Sequence, residues 1–571
     1  MATVTPASSL DQAVAELQAH KDEWARLAIH QKIVLLIAAR TNLRRVAQRW
    51  VDAAVQAKRI DPASPWVGEE WVSGPWALAA GIDGYVTTLH ELAHDRPVRF
   101  KKVTSRQNGQ LVLQVFPPDL FGWLLLNGIT AEVWMQQGVT EANLPEHVAA
   151  FYRQAQPSGR VALVLGAGNV NAIAPLDALY KLYADGQVVI LKMNPINDYL
   201  GPILEEILAP FIEGGYLRIA YGGADVGAFL CQHEGVEAIH ITGSARSHDA
   251  IVFGVGPEAD ARKRRAQPLL TKPITSELGG VGPCIVVPGP WSEADIRFQA
   301  ENIATMKLHN SGCNCVASQV LVLPRDWDGS ARLLDAVRDV MRSLPPREAY
   351  YPGCAQRQQA VATLHPDAEV FGTGAVPRTL VAGLDPDHAG ERCFTDEVFG
   401  PVLAQTSLPG QTAQAFLSNA VRFANERLDG TLGASLIVHP RTMRELGPAL
   451  EQAIADLRYG SIGVNVWNAA AFLLVQAPWG AYPGHRLEDI QSGIGVVHNT
   501  YLLDKTEKAV VRGSFHPFPR SWAHGNLAFL PKPPWFVTNR TAESTGRRVA
   551  YFSMNPGWRH LPGIFASALR G

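Results

Sequence analysis

Cys315 stands in Asn310-Ser-Gly-Cys-Asn-Cys315-Val-Ala-Ser-Gln319, a polar turn between a helical pattern and an apolar run. A thiol with pKa ~8.5 is only about 3% thiolate at pH 7, so a nucleophilic cysteine needs backbone donors or a shielding pocket. Taken alone, a cysteine is more often a small buried hydrophobe. Glu277, in Thr275-Ser-Glu277-Leu-Gly-Gly280, is followed by two glycines that let backbone come close to the carboxylate. In an apolar pocket its pKa rises and it can act as a general base; on an open turn it is a solvated charge. Glu397, in Thr395-Asp-Glu397-Val-Phe399-Gly-Pro401, reads as a ligand clamp or as an exposed acidic turn. Asn169 follows Gly166-Ala-Gly168, a partial Gly-x-Gly that lacks the third glycine of a dinucleotide fingerprint. Its amide can donate to an oxyanion or cap the following helix.

The elements that must position these groups follow from periodicity. Val161–Leu165, Val188–Leu191, Leu217–Tyr221 and Val236–Ile241 are apolar runs separated by helical stretches at Leu176–Tyr183, Ile203–Ile212 and from about Ala224. Strands alternating with helices predict parallel crossovers and a doubly wound sheet. Gly166, Lys192, Gly222 and Gly243 fall at carboxyl ends of strands, where such sheets bind ligands. A second α/β region spans about 280 to 475, with strands at Cys284–Val287 and Val320–Leu323 and helices over 292–308 and 330–343. The first 60 residues read as helical, and Gln110–Trp134 as an extended hairpin. Beyond 505, prolines interleave with aromatic residues. That excludes regular central structure and simple disorder alike, and predicts a tail wrapped over other surfaces.

Composition narrows the classes. The chain has 571 residues, 47% hydrophobic and 18% charged, with a net charge of −2. This balance gives no electrostatic reason to expect nucleic acid as a partner. No apolar run approaches the ~20 residues of a membrane helix, and the N-terminus lacks a secretory signal. Six cysteines do not make a disulfide framework, and a reduced cytoplasm fits them. Cys313 and Cys315 are too close for a zinc knuckle and have no second pair, so the spacing predicts no metal site.

In order, Asn169, Lys192, Ile241-Thr-Gly243-Ser244, Glu277-Leu-Gly-Gly, Cys315, Glu397-Val-Phe399-Gly-Pro and Ala477-Pro-Trp-Gly480 resemble the aldehyde dehydrogenase superfamily over roughly residues 10–505. The resemblance implies a Rossmann-like doubly wound cofactor domain (1–107 and 156–278) and an α/β catalytic domain (279–487). It also implies β-hairpin oligomerisation segments (108–155 and 488–505) that extend a neighbour's sheet in a homodimer or homotetramer. Residues 506–571 form a Pro/aromatic extension without counterpart in the common members. By the same resemblance Cys315, matched through Asn310-x-Gly312-x-x-Cys315, attacks the aldehyde carbon. Asn169 holds the oxyanion and Glu277 activates water. Lys192 and Glu397 bind the riboses of NAD or NADP, Phe399 packs on the nicotinamide, and Gly222, Gly223, Gly243 and Ser244 approach the cofactor backbone. Trp467, Phe472 and Leu473 are candidates for the substrate pocket.

The sequence departs from the family at several points. Gly168 stands where most members have Trp, and Met193-Asn194-Pro195 offers no carboxylate to select NAD. Gln319 and Gly168-Asn-Val resemble the CoA-acylating and acyl-reductase branches, which generally lack the hydrolytic glutamate. The expectation is therefore aldehyde oxidation to an acid, with a CoA- or thioester-linked reductase as the second reading. A silent assembly or binding relative is the third.

Overall fold

The computed structural model describes residues 4–374 and 376–571. The β-branched and leucine-rich runs singled out above pair into a six-stranded sheet. Its order is 493–494, 274–278, 238–243, 161–165, 188–192, 217–220, parallel throughout except for the short Gly493–Ile494 edge. Strand order reverses beside Val161–Leu165, whose neighbours are Val188–Lys192 and Ala238–Gly243. That makes the crevice above Gly166 and Gly243 the switch point at which such sheets take ligands. The helical stretch expected over 203–212 divides at Leu208, because Pro210 cannot donate to the first helix.

A second sheet has eleven strands in the order 102–105, 111–116, 130–135, 506–512, 461–464, 433–437, 282–286, 318–324, 402–408, 378–384, 369–371. The seven strands from 506–512 to 378–384 run parallel, with antiparallel strands on either side. Thr506–Arg512 is a central strand, fully flanked, where the sequence reading places the start of an irregular tail. Its Ala509-Val-Val511 core carries the β-branched pattern, and the prolines begin only at Pro517. The hairpin segment is two strands, Leu111–Phe116 and Thr130–Met135. Between them Leu120–Leu125 forms a short helix, capped by Asp119 accepting from the Gly122 N–H at 2.7 Å. The strand Thr130–Met135 pairs with Thr506–Arg512 of its own chain.

The N-terminal 60 residues form the helices Ala7–Arg26 and Ile29–Ala57, as their periodicity predicts. Residues 67–93, unordered in the sequence reading, are nearly continuous helix with a wider turn at Val72–Trp76 where Pro75 removes a donor. The extension after Arg512 lies on the molecule: Phe515 packs edge-on to Trp291, and helix Ala542–Met554 packs on the 67–76 helices. Among the described residues no helix is long and apolar enough to cross a membrane.

One core group is unusual. The Lys32 ammonium is 1% exposed and faces the rings of Trp24, Phe151 and Tyr152 at 4.7, 5.0 and 5.2 Å. Burial brings its pKa down to about 7, while the ring faces favour the cation. An unfolded lysine keeps its proton to about pH 10.4. Between pH 7 and 10 the unfolded chain therefore binds the extra proton, and stability contributed at this site rises with pH. Lys32→Met is expected to flatten the rise in thermal midpoint between pH 7 and 9.5; an unchanged slope would show that Lys32 stays charged.

Candidate active site

The thiol of Cys315 lies in a cavity of about 60 Å³ between the two sheets, among Val170, Ile173, Trp467, Phe472, Leu473 and Trp479. The turn that presents it is tightly constrained. Asn310, Ser311 and Gly312 have φ of 54°, 58° and 74°, three consecutive left-handed residues. At Gly312 a Cβ would meet the Gly400 carbonyl oxygen at 2.3 Å, so the turn also presses on the Glu397–Pro401 loop. Two non-glycine residues in this region cost on the order of 1–3 kcal/mol each unless the surroundings impose it.

The surroundings do impose it. Lys58, which caps the C-terminus of helix Ile29–Ala57, is 2% exposed and pairs with the equally buried Glu70 at 2.8 Å. The same ammonium donates to the Asn169 carbonyl at 2.9 Å and to Asn310 Oδ1 at 3.2 Å. Tyr350 and the Asn310 amide donate to that carbonyl as well, both at 3.1 Å. Glu69, held ionised against its burial by Arg347 at 2.7 Å, accepts from the Asn310 N–H at 3.1 Å. Asn169 is thus fixed from behind. Its Nδ2 donates to the Cys313 carbonyl at 3.0 Å, which uses one of two amide hydrogens.

Cys313 and Cys315 have different surroundings. Cys313 is fully buried, against Cys354 and Val376, whereas Cys315 retains partial exposure to the cavity. Burial, with the charges of the neighbouring Glu277 and Glu397 carboxyls, keeps the pKa of the Cys315 thiol high. Its own backbone N–H acts the other way, favouring the thiolate. Glu277 is 3% exposed; burial and the charge of Asp177 raise its pKa to about 8, opposed by hydrogen bonds from Cys315 and Trp479. Its Oε1 has no hydrogen-bond partner among the described residues.

The other sequence-selected groups lie around this centre. Glu397 takes a hydrogen bond from the Gly280 N–H, and burial raises its pKa to about 7. A Cβ at Gly279 would meet its carboxylate at 2.2 Å, which explains the paired glycines after Glu277. Phe399 packs edge-on to Tyr351 with centroids 4.8 Å apart. Lys192 ends its strand, buried enough to lower its pKa, with Asp225 acting on it through space. Gly243 and Ser244 are exposed at the N-terminus of helix Ala245–Phe253, where Ser244 caps Ser247. Gly222 and Gly223 follow the edge strand, beside Thr5, whose N–H bonds the Tyr221 carbonyl at 3.1 Å. Trp467, Phe472 and Leu473 all line the Cys315 cavity.

Two departures acquire local reasons. A side chain at Gly168 would strike Asn194 at 2.8 Å, so the Met193–Asn197 turn fills the space a tryptophan would need. Gln319 Oε1 accepts from Lys307 at 2.9 Å and from the Val398 N–H at 3.3 Å, inside the wall. The sequence reading missed Lys58, Glu69, Glu70, Arg347 and Tyr350, which are dispersed along the chain. It missed Trp535 too, which enters the cavity from the extension. Trp479, which also lines the cavity, did carry a signal, through Ala477-Pro-Trp-Gly480.

A nicotinamide dinucleotide fits the donor set: a helix N-terminus at Ser244, a strand-end lysine, and a half-buried carboxylate, Glu397, whose Oε1 lacks a partner among the described residues. A doubly wound six-stranded sheet and a largely parallel eleven-stranded sheet make a two-sheet α/β architecture. The aldehyde dehydrogenase family model matches residues 89–365. Over those residues the chain is similar to aldehyde dehydrogenases, and the solved structures below share its fold. It is 24% identical over 310 residues to coniferyl aldehyde dehydrogenase of Pseudomonas sp. (strain HR199 / DSM 7063), covering 50% of this chain and 59% of that one. It is 24% identical over 374 residues to aldehyde dehydrogenase family 3 member A2 of Rattus norvegicus, covering 63% and 68%. The chain thus spans about three fifths of the first of these relatives. The NAD-dependent aldehyde dehydrogenase of Sinorhizobium meliloti superimposes with a TM-score of 0.59 at 18% identity, covering 90% and 89%. A Mycobacterium tuberculosis aldehyde dehydrogenase complexed with NAD+ gives 0.59 at 17%, covering 89% and 91%.

Removing one partner of a buried ion pair costs about 3–5 kcal/mol. Lys58→Met should lower the thermal midpoint strongly and abolish the reactivity of Cys315 toward iodoacetamide. The double variant with Glu70→Gln should recover part of the stability, and purely additive losses would deny the coupling.

Proposed function

We propose that the protein oxidises an aldehyde to a carboxylic acid with NAD or NADP, through Cys315 as nucleophile and Glu277 as general base. The observation that carries this reading is a thiol in an apolar cavity acting on a buried carboxyl, Glu277, whose pKa burial raises to about 8. Ionised Glu277 takes the Cys315 proton, and the thiolate adds to the aldehyde carbon. The oxyanion is held by the Cys315 N–H and the second Asn169 amide hydrogen; losing one such donor costs about 3–4 kcal/mol of transition-state stabilisation. Lys192, Glu397, Phe399, Gly243 and Ser244 would hold the nicotinamide dinucleotide, which would supply the hydride acceptor. Collapse of the thiohemiacetal oxyanion expels hydride to that acceptor and leaves a thioester on Cys315, while Glu277 gives the proton it took from the thiol to solvent. Glu277 then removes a proton from water, which attacks the thioester, releasing acid and thiol.

A free carboxylate at this position supports water as the acyl acceptor. The role of Gln319 in the wall accounts for the residue that suggested a CoA-linked branch. The apolar lining favours uncharged aliphatic or aromatic aldehydes. Asp225, near the Lys192 ammonium, supports NAD over NADP, because a 2′-phosphate there would meet a like charge. We further propose that residues 1–107 with 156–278 serve the cofactor and 279–487 the chemistry, with Gly222 and Gly223 at the cofactor's far end.

Incubation with aldehyde and cofactor, without CoA, should give reduced cofactor and free acid; an absolute need for CoA would reject the reading. Glu277→Gln should retain a burst of one reduced cofactor per Cys315 and stall thereafter, and Cys315→Ser should abolish both phases while Cys313→Ser spares them. Because Glu277 must be ionised to act, turnover limited by acid release should rise with pH and level off above about 8, a profile that Glu277→Gln removes. Asp225→Ser should narrow the NAD-to-NADP ratio of kcat/KM by about tenfold, equivalent to about 1.4 kcal/mol; an unchanged ratio would place cofactor choice elsewhere.

A further inference from the structure

We propose that His365, Glu391 and Cys393 form a binding site for a zinc-class divalent cation, outside the catalytic cavity. The three ligand atoms lie within 4.8 Å of one another. Glu391 and Cys393 are buried, and His365 has 20% of its side chain exposed, which leaves an approach from solvent. The set of one thiol, one imidazole and one carboxylate is the donor chemistry that zinc selects.

The geometry separates this reading from a hydrogen-bonded thiol–imidazole–carboxylate relay. In a relay the carboxylate and the thiol bond opposite nitrogens of the ring. Here both converge on the same one: Glu391 Oε1 is 3.2 Å and Cys393 Sγ 3.7 Å from His365 Nε2. Zinc bond lengths and tetrahedral angles give edges of about 3.3 Å between N and O and about 3.6 Å between S and N. The two edges at His365 Nε2 are close to those of such a tetrahedron. Among the described residues no arginine or lysine pairs with Glu391, whose Oε1 accepts the Cys393 N–H at 2.8 Å. The other cluster of this kind, Asp295, His439 and His516, is less suited, because Arg520 already neutralises Asp295 at 2.5 Å.

The ligands come from two segments. His365 follows the helix Cys354–Leu364, and Glu391 and Cys393 bracket the start of Arg392–Thr395, which runs directly into Glu397. Sequence spacing could not reveal the site, since 25 residues separate the first two ligands. Binding replaces the Cys393 S–H bond by a metal–sulfur bond, with the proton released to solvent. The cation would brace the Glu397 loop against the helix.

The test is titration of the chelator-treated full-length protein with cobalt(II) chloride, followed by zinc chloride. The expected result is one cobalt per chain with a thiolate-to-cobalt charge-transfer band, displaced by zinc, and a raised thermal midpoint with zinc. The band should persist in Cys315→Ser and Cys313→Ser, vanish in Cys393→Ser, and shift to about tenfold or more weaker affinity in His365→Gln. Absence of the band in the wild-type protein, or its survival in Cys393→Ser, would overturn the proposal. Should Cys393→Ser fail to fold, unchanged cobalt affinity in His365→Gln would overturn it equally.

Discussion

A buried ammonium, that of Lys58, touches three parts of the candidate site at once: Glu70, the Asn169 carbonyl and the Asn310 side chain. Removing a charge from water is costly, and here it is offset only if all three acceptors keep their positions. The consequence is geometric. The left-handed turn at Asn310–Gly312 would relax if it were free, and the pairs at Glu70 and Arg347 hold it from a different part of the chain. That turn sets the height of Cys315 in the cavity. Asn169, fixed by the same ammonium, cannot shift independently of it. The relative placement of thiol and amide is thus governed by helices of the N-terminal region, which carry no reacting group.

Much of the architecture was legible because it is local. Val161–Leu165, Val188–Lys192 and Ala238–Gly243 are strands by composition alone, and glycines mark their carboxyl ends. Cys315, Glu277 and Glu397 were legible through the residues beside them: Gly279 and Gly312 are glycines because backbone or carboxylate lies where a Cβ would be. What escaped was non-local. Lys58 looks like any helix-end lysine until the fold brings Glu70 and Asn169 to it. Trp535 looks like one aromatic among many in a proline-rich stretch. Thr506–Arg512 is a strand of ordinary pattern, and only its two neighbours reveal that it is central. Helix Leu120–Leu125 was hidden inside an apolar run that periodicity cannot divide between helix and strand.

The extension changes how the cavity is closed. Trp535 supplies part of the apolar wall and the helix Ala542–Met554 packs behind the 67–76 helices that flank it. The hairpin and the last strand meet within one chain, through the pairing of Thr130–Met135 with Thr506–Arg512. The resemblance implied that such segments extend a neighbour's sheet. In this protein the internal join completes an eleven-stranded sheet whose exposed edges are the short strands 102–105 and 369–371.

That join also orders the assembly of the molecule in time. Until residues 506–512 leave the ribosome, the strands 130–135 and 461–464 each present an open row of backbone donors and acceptors with no occupant between them. The sheet is therefore finished by insertion of a late strand into a waiting slot, a contact between segments remote in sequence and slow to form for that reason. The nascent chain carries the open edge of 130–135 through most of its synthesis and gains that of 461–464 only late, and both are covered when that slot is filled.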